Sequence, residues 1–191
     1  MRHVVVRALV AALIVVEGSA AISAAEDAGL DPKAQNAAAL LDSKDAYQRQ
    51  VGFLRLEALR DPATGPIIRR HMASKDGEDR AQAVRALAAV EGARAVPDLL
   101  QALRGDRDAD VRRAALLGLE PLARLDPKNI LPALIDALRD SKPEVRMSAV
   151  DVVSRIDDPT AKQAIRERNR RERNRNVRRV LSAAMGRLGD G

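Results

Sequence analysis

The sequence predicts an all-α protein built as an α-solenoid, a superhelix of stacked helical hairpins. Three observations predict it. The first is composition. Of 191 residues 46% are apolar, alanine leads with leucine, arginine and valine behind it, and no segment alternates long enough to read as a half-buried strand. The second is an internal repeat with a period near 32 residues. The third is a helix-start signal at the head of most copies of that repeat.

The repeat emerges when "DADVRRAALLGLEPL" is slid along the chain. It meets "GEDRAQAVRALAAV", "KPEVRMSAVDVVSRI", "NRNVRRVLSAAMGRL" and, more weakly, "AYQRQVGFLRLEAL". One arginine recurs in every copy, as Arg49, Arg80, Arg112, Arg146 and Arg178, at spacings of 31, 32, 34 and 32. Three residues later stand Gly52, Ala83, Ala115, Ala149 and Leu181; seven later Leu56, Leu87, Leu119, Val153 and Met185; ten later Leu59, Val90, Leu122, Ile156 and Leu188. Steps of three and four place these positions on one helical face. Four residues before the arginines stand Asp45, Asp76, Asp108 and Asn174, whose side-chain oxygens can cap free backbone N–H groups. In the fourth copy Ser141 is the expected cap.

The elements follow in order. Residues 1–25 carry Arg2 and Arg7, nine uninterrupted apolar residues from Ala8 to Val16, and the small-residue site Ser23-Ala24-Ala25. These are the three parts of a secretory signal peptide, cleaved near Ala25, with Gly18-Ser19-Ala20 as a second cleavage site. The apolar run is far short of the ~20 residues of a membrane span; an uncleaved anchor is the alternative. Residues 26–43 form a capping segment whose helix starts near Pro32. Hairpins are expected over 44–75, 76–105, 106–140 and 141–172, with a half repeat over 173–191. Their second helices carry Pro66, Pro97 and Pro132, each read as lying near a helix start, where the missing N–H costs little. Pro121 should end or kink the third first-helix.

A single hairpin cannot bury both faces, and a stack of four or five can. The pattern Pro-x-Leu-x-x-Ala-Leu, then Asp, then Val-Arg-x-x-Ala-x-x-x-Leu, resembles the HEAT repeat, in its short form named after phycobilisome lyases. The resemblance covers roughly residues 32–189. It implies structural roles for Arg49, Arg80, Arg112, Arg146 and Arg178, bridging to carboxylates or carbonyls of a neighbouring turn. It does not fix a function, because such repeats serve unrelated ones.

Composition limits the chemistry. There is no cysteine, the only aromatics are Tyr47 and Phe53, and His71 is the one histidine beyond the leader. Thiolate chemistry and disulfides are excluded. Enzymatic HEAT-like proteins offer three comparisons. The deoxyhypusine hydroxylases use His-Glu pairs at a di-iron site, and this sequence has no His-Glu dipeptide. The phycobilin lyases act on tetrapyrroles, and no residue here marks pigment binding. The related DNA glycosylases use aromatic residues that this chain lacks. The acidic pair Asp157-Asp158 reads as a turn at a helix end. No catalytic residue, metal site or cofactor is expected, and a lyase-type enzyme or enzyme-assembly factor is the alternative.

The stretch "RERNRRERNRNVRR", Arg166 to Arg179, contains eight arginines. Residues 160–191 carry ten Lys/Arg and three Asp/Glu, a net of +7, while residues 26–159 net −2 and the whole chain +6. The basic character therefore sits at one end and favours anionic surfaces. Arg168 can pair with Glu172, and Glu167 with Arg171, at i,i+4. A solvated capping helix, or a coding bias toward 27 Arg against 6 Lys, would also account for the cluster. The expected function is a non-catalytic protein–protein scaffold or adaptor in the cell envelope, periplasmic or secreted. Its candidate partner-binding residues are Arg69, Arg70, Asp98, Gln101, Arg104, Asp136, Arg139, Arg166, Arg168, Arg170 and Arg171. The expected partner is another protein with an acidic surface. The alternative is anionic-surface binding through the Arg-rich segment, to membrane lipid or to nucleic acid, whose phosphates need only Arg and Lys; of the two, nucleic acid is disfavoured because base readout lacks support.

Overall fold

A computed structural model describes residues 29–189. The expected leader lies outside the described residues. Within them the chain is helical throughout: α1 (Pro32–Ala39), α2 (Ala46–Leu59), α3 (Gly65–His71), α4 (Gly77–Glu91), α5 (Val96–Gly105), α6 (Ala109–Leu119), α7 (Pro127–Ala137), α8 (Pro143–Val153), α9 (Pro159–Arg171) and α10 (Arg175–Arg187). Single 3-10 turns join some of them, among these Leu40–Asp42 and Glu120–Leu122.

The helices form two layers, the arrangement that lets each amphipathic hairpin bury its apolar face on its neighbours. The first helices α2, α4, α6, α8 and α10 stack in sequence order, and of the second helices each from α4 on packs chiefly against the one that precedes it in the chain: α4 on α3, α6 on α5, α8 on α7 and α10 on α9. The second layer is α3, α5, α7 and α9, in which α5 packs on α7 and α7 on α9; α1 covers the free side of α2. That close approach requires a glycine. A Cβ on Gly52 would lie 2.8 Å from Leu41 Cδ2 and 2.9 Å from the Ala37 carbonyl oxygen.

The helix starts follow from their caps. Asp45 accepts from the Tyr47 N–H, Asp76 from Glu78, Asp108 from Asp110, and Asn174 from Asn176 and Val177. The fourth copy differs from expectation. Its N-cap is Lys142, not Ser141, and no side chain caps it. Pro143 stands at the first helical position, which leaves one orphan donor fewer to satisfy. Pro132 also departs from expectation: it lies inside α7. Asp126 caps an earlier start at Pro127, so Pro132 falls near mid-helix with its ring exposed. Pro121 ends α6 and sits in the following 3-10 turn.

The repeat face is buried at its small and central positions. Ala83, Ala115, Ala149 and Leu181 are fully buried, as are Leu56, Leu87, Leu119 and Val153. Ile156, Met185 and Leu188 are half-buried, and Leu59 is 38% exposed. It lies one residue before Arg60, whose left-handed backbone (φ 52°) ends α2.

The inter-repeat arginine ladder and the candidate partner surface

The recurring arginines form a ladder through the stack. Each lies in the first turns of a first helix, where its guanidinium can span the junction to the next unit. Arg80 donates from Nε and Nη2 to the two Asp106 oxygens at 2.8 and 2.9 Å, and from Nη1 to the Ser74 and Lys75 carbonyls. Arg112 takes Asp140 at 2.7 and 2.8 Å and the Asp106 carbonyl. Arg146 takes Glu172 at 2.9 and 3.1 Å and the carbonyls of Asp140 and Ser141. One edge of the fork thus reads the carboxylate just ahead of the next first helix, and the other nitrogen holds the loop just ahead of its own helix.

The acceptor has a fixed place, two residues before an N-cap. There it does a second job. Asp106 also accepts from the Asp108 N–H, Asp140 from the Lys142 N–H, and Glu172 from the Asn174 N–H. In the first two copies this position is Ser43 and Ser74, whose hydroxyls accept from the Asp45 and Asp76 N–H groups but carry no charge. Arg49 therefore turns to Asp79, in the first turn of α4, at 2.8 Å, with Asp76 at 3.4 Å. Asp79 was not legible as a site residue in the sequence, because the repeat pattern assigns it no role.

Electrostatics follow this geometry. Burial alone would raise the Glu172 carboxyl, but hydrogen bonds from Arg146, the Asn174 N–H and Arg168 outweigh it and hold it at about 2. Asp106 and Asp140 are likewise opposed by burial and held low by Arg80 and Arg112 and by the N–H groups they cap.

The candidate partner residues divide. Arg69 is half-buried; it donates both Nη atoms to Glu91 and Nε to Asp98 at 3.0 Å. Arg69, Asp98 and Gln101 line one open groove of about 390 Å³ between α3 and α5. Arg168 is half-buried and joins Arg146 on Glu172, the i,i+4 pair expected from the sequence. Arg139, Arg168 and Arg171 meet around a small cleft between α7 and α9. Arg70, Gln101, Arg104, Asp136, Arg139, Arg170 and Arg171 are exposed, and Arg166 is half-buried. Glu91, which closes over Arg69, was also missed: the partners are 22 residues apart.

The fifth repeat arginine departs from the ladder. Arg178 is exposed and its guanidinium meets no carboxylate among the described residues. It lines an open groove of about 1020 Å³ on the outer side of α10, with Arg173, Arg175, Arg179, Ser182 and Met185. His71 is half-buried, its ring 5.6 Å from Phe53 in an edge-on contact at 88°, and burial lowers its pKa. Asp158 caps α9, and Asp157 pairs with Lys162. Among the described residues no cluster of His, Asp or Glu could hold a metal, and no helix is long and apolar enough to cross a membrane.

Comparisons with known proteins agree with this architecture. The HEAT repeat pattern matches residues 34–120 and 96–186. No curated protein matches the chain. Among solved structures the chain is similar to the complex of CpcE and CpcF of phycocyanin lyase from Nostoc sp., with TM-score 0.67 and 22% identity over 80% of this chain and 97% of that one. It is also similar to YibA of E. coli, with TM-score 0.61 and 20% identity over 85% of this chain and 62% of that one. At these identities the likeness is one of fold. With the repeat matched over most of its length, the chain belongs to the HEAT repeat family.

Proposed function

We propose that the chain is a non-catalytic protein–protein scaffold or adaptor of the cell envelope, which holds an acidic partner across its second-helix layer. One observation carries this reading. The first four repeat arginines are occupied in joining unit to unit, whereas Gln101, Arg104, Asp136, Arg170 and Arg171 stand exposed on successive second helices and Arg139 in the turn just after α7. A rigid layer with a graded set of charged side chains is the surface that solenoids offer to macromolecules. The envelope location rests on the three-part leader of residues 1–25. The lyase subunit among similar structures supports the fold and brings no activity with it.

The test is affinity capture from envelope fractions, with the intact mass of the native chain measured in the same fractions. The expected result is a chain beginning at Glu26 and a partner retained at low salt. A combined R104Q, R139Q, R170Q and R171Q variant should lose that partner. Capture indifferent to these changes, or turnover of a substrate by the purified chain, would overturn the reading. A full-length chain in the cytoplasm would overturn the location.

A further inference from the structure

The five copies share one more face, formed by the repeat arginine and the residues four and seven positions after it. In the first four copies the next unit covers this face. Phe53 and Leu56, Val84 and Leu87, Leu116 and Leu119, and Val150 and Val153 are all fully buried. In the fifth copy the same positions hold Arg178 and Ser182, both exposed, and Met185, half-buried. These three share the groove with Arg173, Arg175 and Arg179, and no acidic side chain lines it. Four guanidinium groups around one concavity repel each other, and an entering anion relieves that repulsion.

We propose that this groove is a docking site for a carboxylate of a second, acidic protein, which supplies to Arg178 the rung that Asp106, Asp140 and Glu172 supply to Arg80, Arg112 and Arg146. The proposal rests on the scaffold reading and gives it a second, separate site. The ladder defines the chemistry. In four junctions out of four the guanidinium faces a protein carboxylate, and in the last three it takes one with two parallel hydrogen bonds. The ladder's acceptors stand on the loop ahead of a helix start, and the open groove has room for such a segment. Ser182 stands where inner copies place Phe53, Val84, Leu116 or Val150, so charge leads the contact and apolar burial adds little. A second copy of this chain fits poorly. Its first unit presents uncharged Ser43 where the acceptor belongs, and Gln48 where Asp79 serves Arg49. The cationic lining and the carboxylate rungs of the inner junctions favour a different protein with Asp or Glu ahead of a helix start.

A labelled peptide with the sequence of residues 104–120 provides that element. It carries R104Q, R107Q and R113Q to make it acidic and retains Asp106 two residues before the Asp108 cap. Binding to the full-length chain is read by fluorescence anisotropy at low and high salt. The expected result is salt-sensitive binding that weakens about ten-fold or more with R178Q, as for loss of a charged hydrogen-bonded pair. D106N in the peptide should weaken it equally, S182W should block it by filling the groove, and R85Q on α4 should leave it unchanged. The S182W arm stands if R178Q fails to fold. No binding by the wild-type chain would overturn the proposal, as would binding indifferent to both R178Q and S182W. It would also be overturned if mixed phosphatidylcholine and phosphatidylglycerol vesicles, or a labelled second copy of the chain, bound more tightly than the peptide in an Arg178-dependent way. Peptide binding with no second-helix capture would remove the scaffold surface and keep this site; the reverse would remove this site alone.

Discussion

Glu172 receives both Nε and Nη2 of Arg146 across the junction between the fourth and fifth units while accepting the backbone N–H groups of Arg173 and Asn174. One carboxylate therefore ties the stack together and starts its last first-helix. Its side chain is 2% exposed and that of Arg146 11%, so neither charge can turn to water if the other is lost.

The losses from removing the two members should therefore not add. E172Q leaves Arg146 buried against a neutral amide and should destabilise the fold by about 3 kcal/mol. Replacing Arg146 and Glu172 together by methionine should cost less than the sum of R146M and E172M, because neither member of the pair is then left as the other's missing partner, while Arg168 and the Arg173 and Asn174 N–H groups lose their acceptor in E172M and in the double variant alike. Urea unfolding of the two single variants and the double variant measures the coupling. Additive losses would contradict a mutually dependent pair.

The same carboxylate makes stability depend on acidity. Its folded pKa of about 2 lies below the ordinary 4.5. Unfolded chains therefore bind its proton first, and stability present above about pH 4.5 is lost as pH falls toward 2. Asp106 and Asp140, also held low, act in the same sense. His71, lowered by burial, adds a loss that begins as pH falls below its unfolded value of about 6.5. Urea midpoints from pH 7 to pH 2.5 should fall throughout, and E172Q should flatten the acid limb. An acid limb equally steep in E172Q would show that Glu172 is not held low.

Asp79 and Ser74 should be interchangeable as the site of the first rung. D79N alone leaves Arg49 with the distant Asp76 and should cost about 2 kcal/mol. Adding S74D places a carboxylate at the position that Asp106, Asp140 and Glu172 occupy in later copies, and should restore most of the loss. Thermal unfolding of the two variants decides it; no recovery in the double variant would mean that Asp79 acts through something other than Arg49.

The caps should differ among copies. Asp108 accepts from the Asp110 N–H, and D108A should cost about 1 kcal/mol. K142A should cost nearly nothing, since Lys142 makes no side-chain cap. Equal losses would contradict the cap assignments.

Local signals explain what was legible in the sequence. The arginine spacing, the buried face three and seven residues after it, and the Asp and Asn caps all lie within one helix, so periodicity reveals them. The acceptors Asp106, Asp140 and Glu172 lie 26 to 28 residues from their arginines. The position they fill reads Ser, Ser, Asp, Asp, Glu along the copies, and that variation hides it. Pro132 looked like a helix start because Pro66 and Pro97 are; Asp126 and Pro127 supplied an earlier one. Among the candidate surface residues, Arg69, Asp98 and Arg168 carry internal ion pairs because their partners come from other turns or the following loop. Charge alone does not separate such groups from the exposed Arg104, Arg139 and Arg170.

Site-specific photo-crosslinking in cells tests the central claim most directly. A photoreactive residue is placed at Arg104, on the second-helix layer, and in a parallel strain at Arg85, exposed on the first-helix layer. The account predicts a discrete protein adduct from position 104, recovered from the envelope, and none from position 85. An adduct from position 85 alone, or none from either position in cells that export the chain, would contradict it.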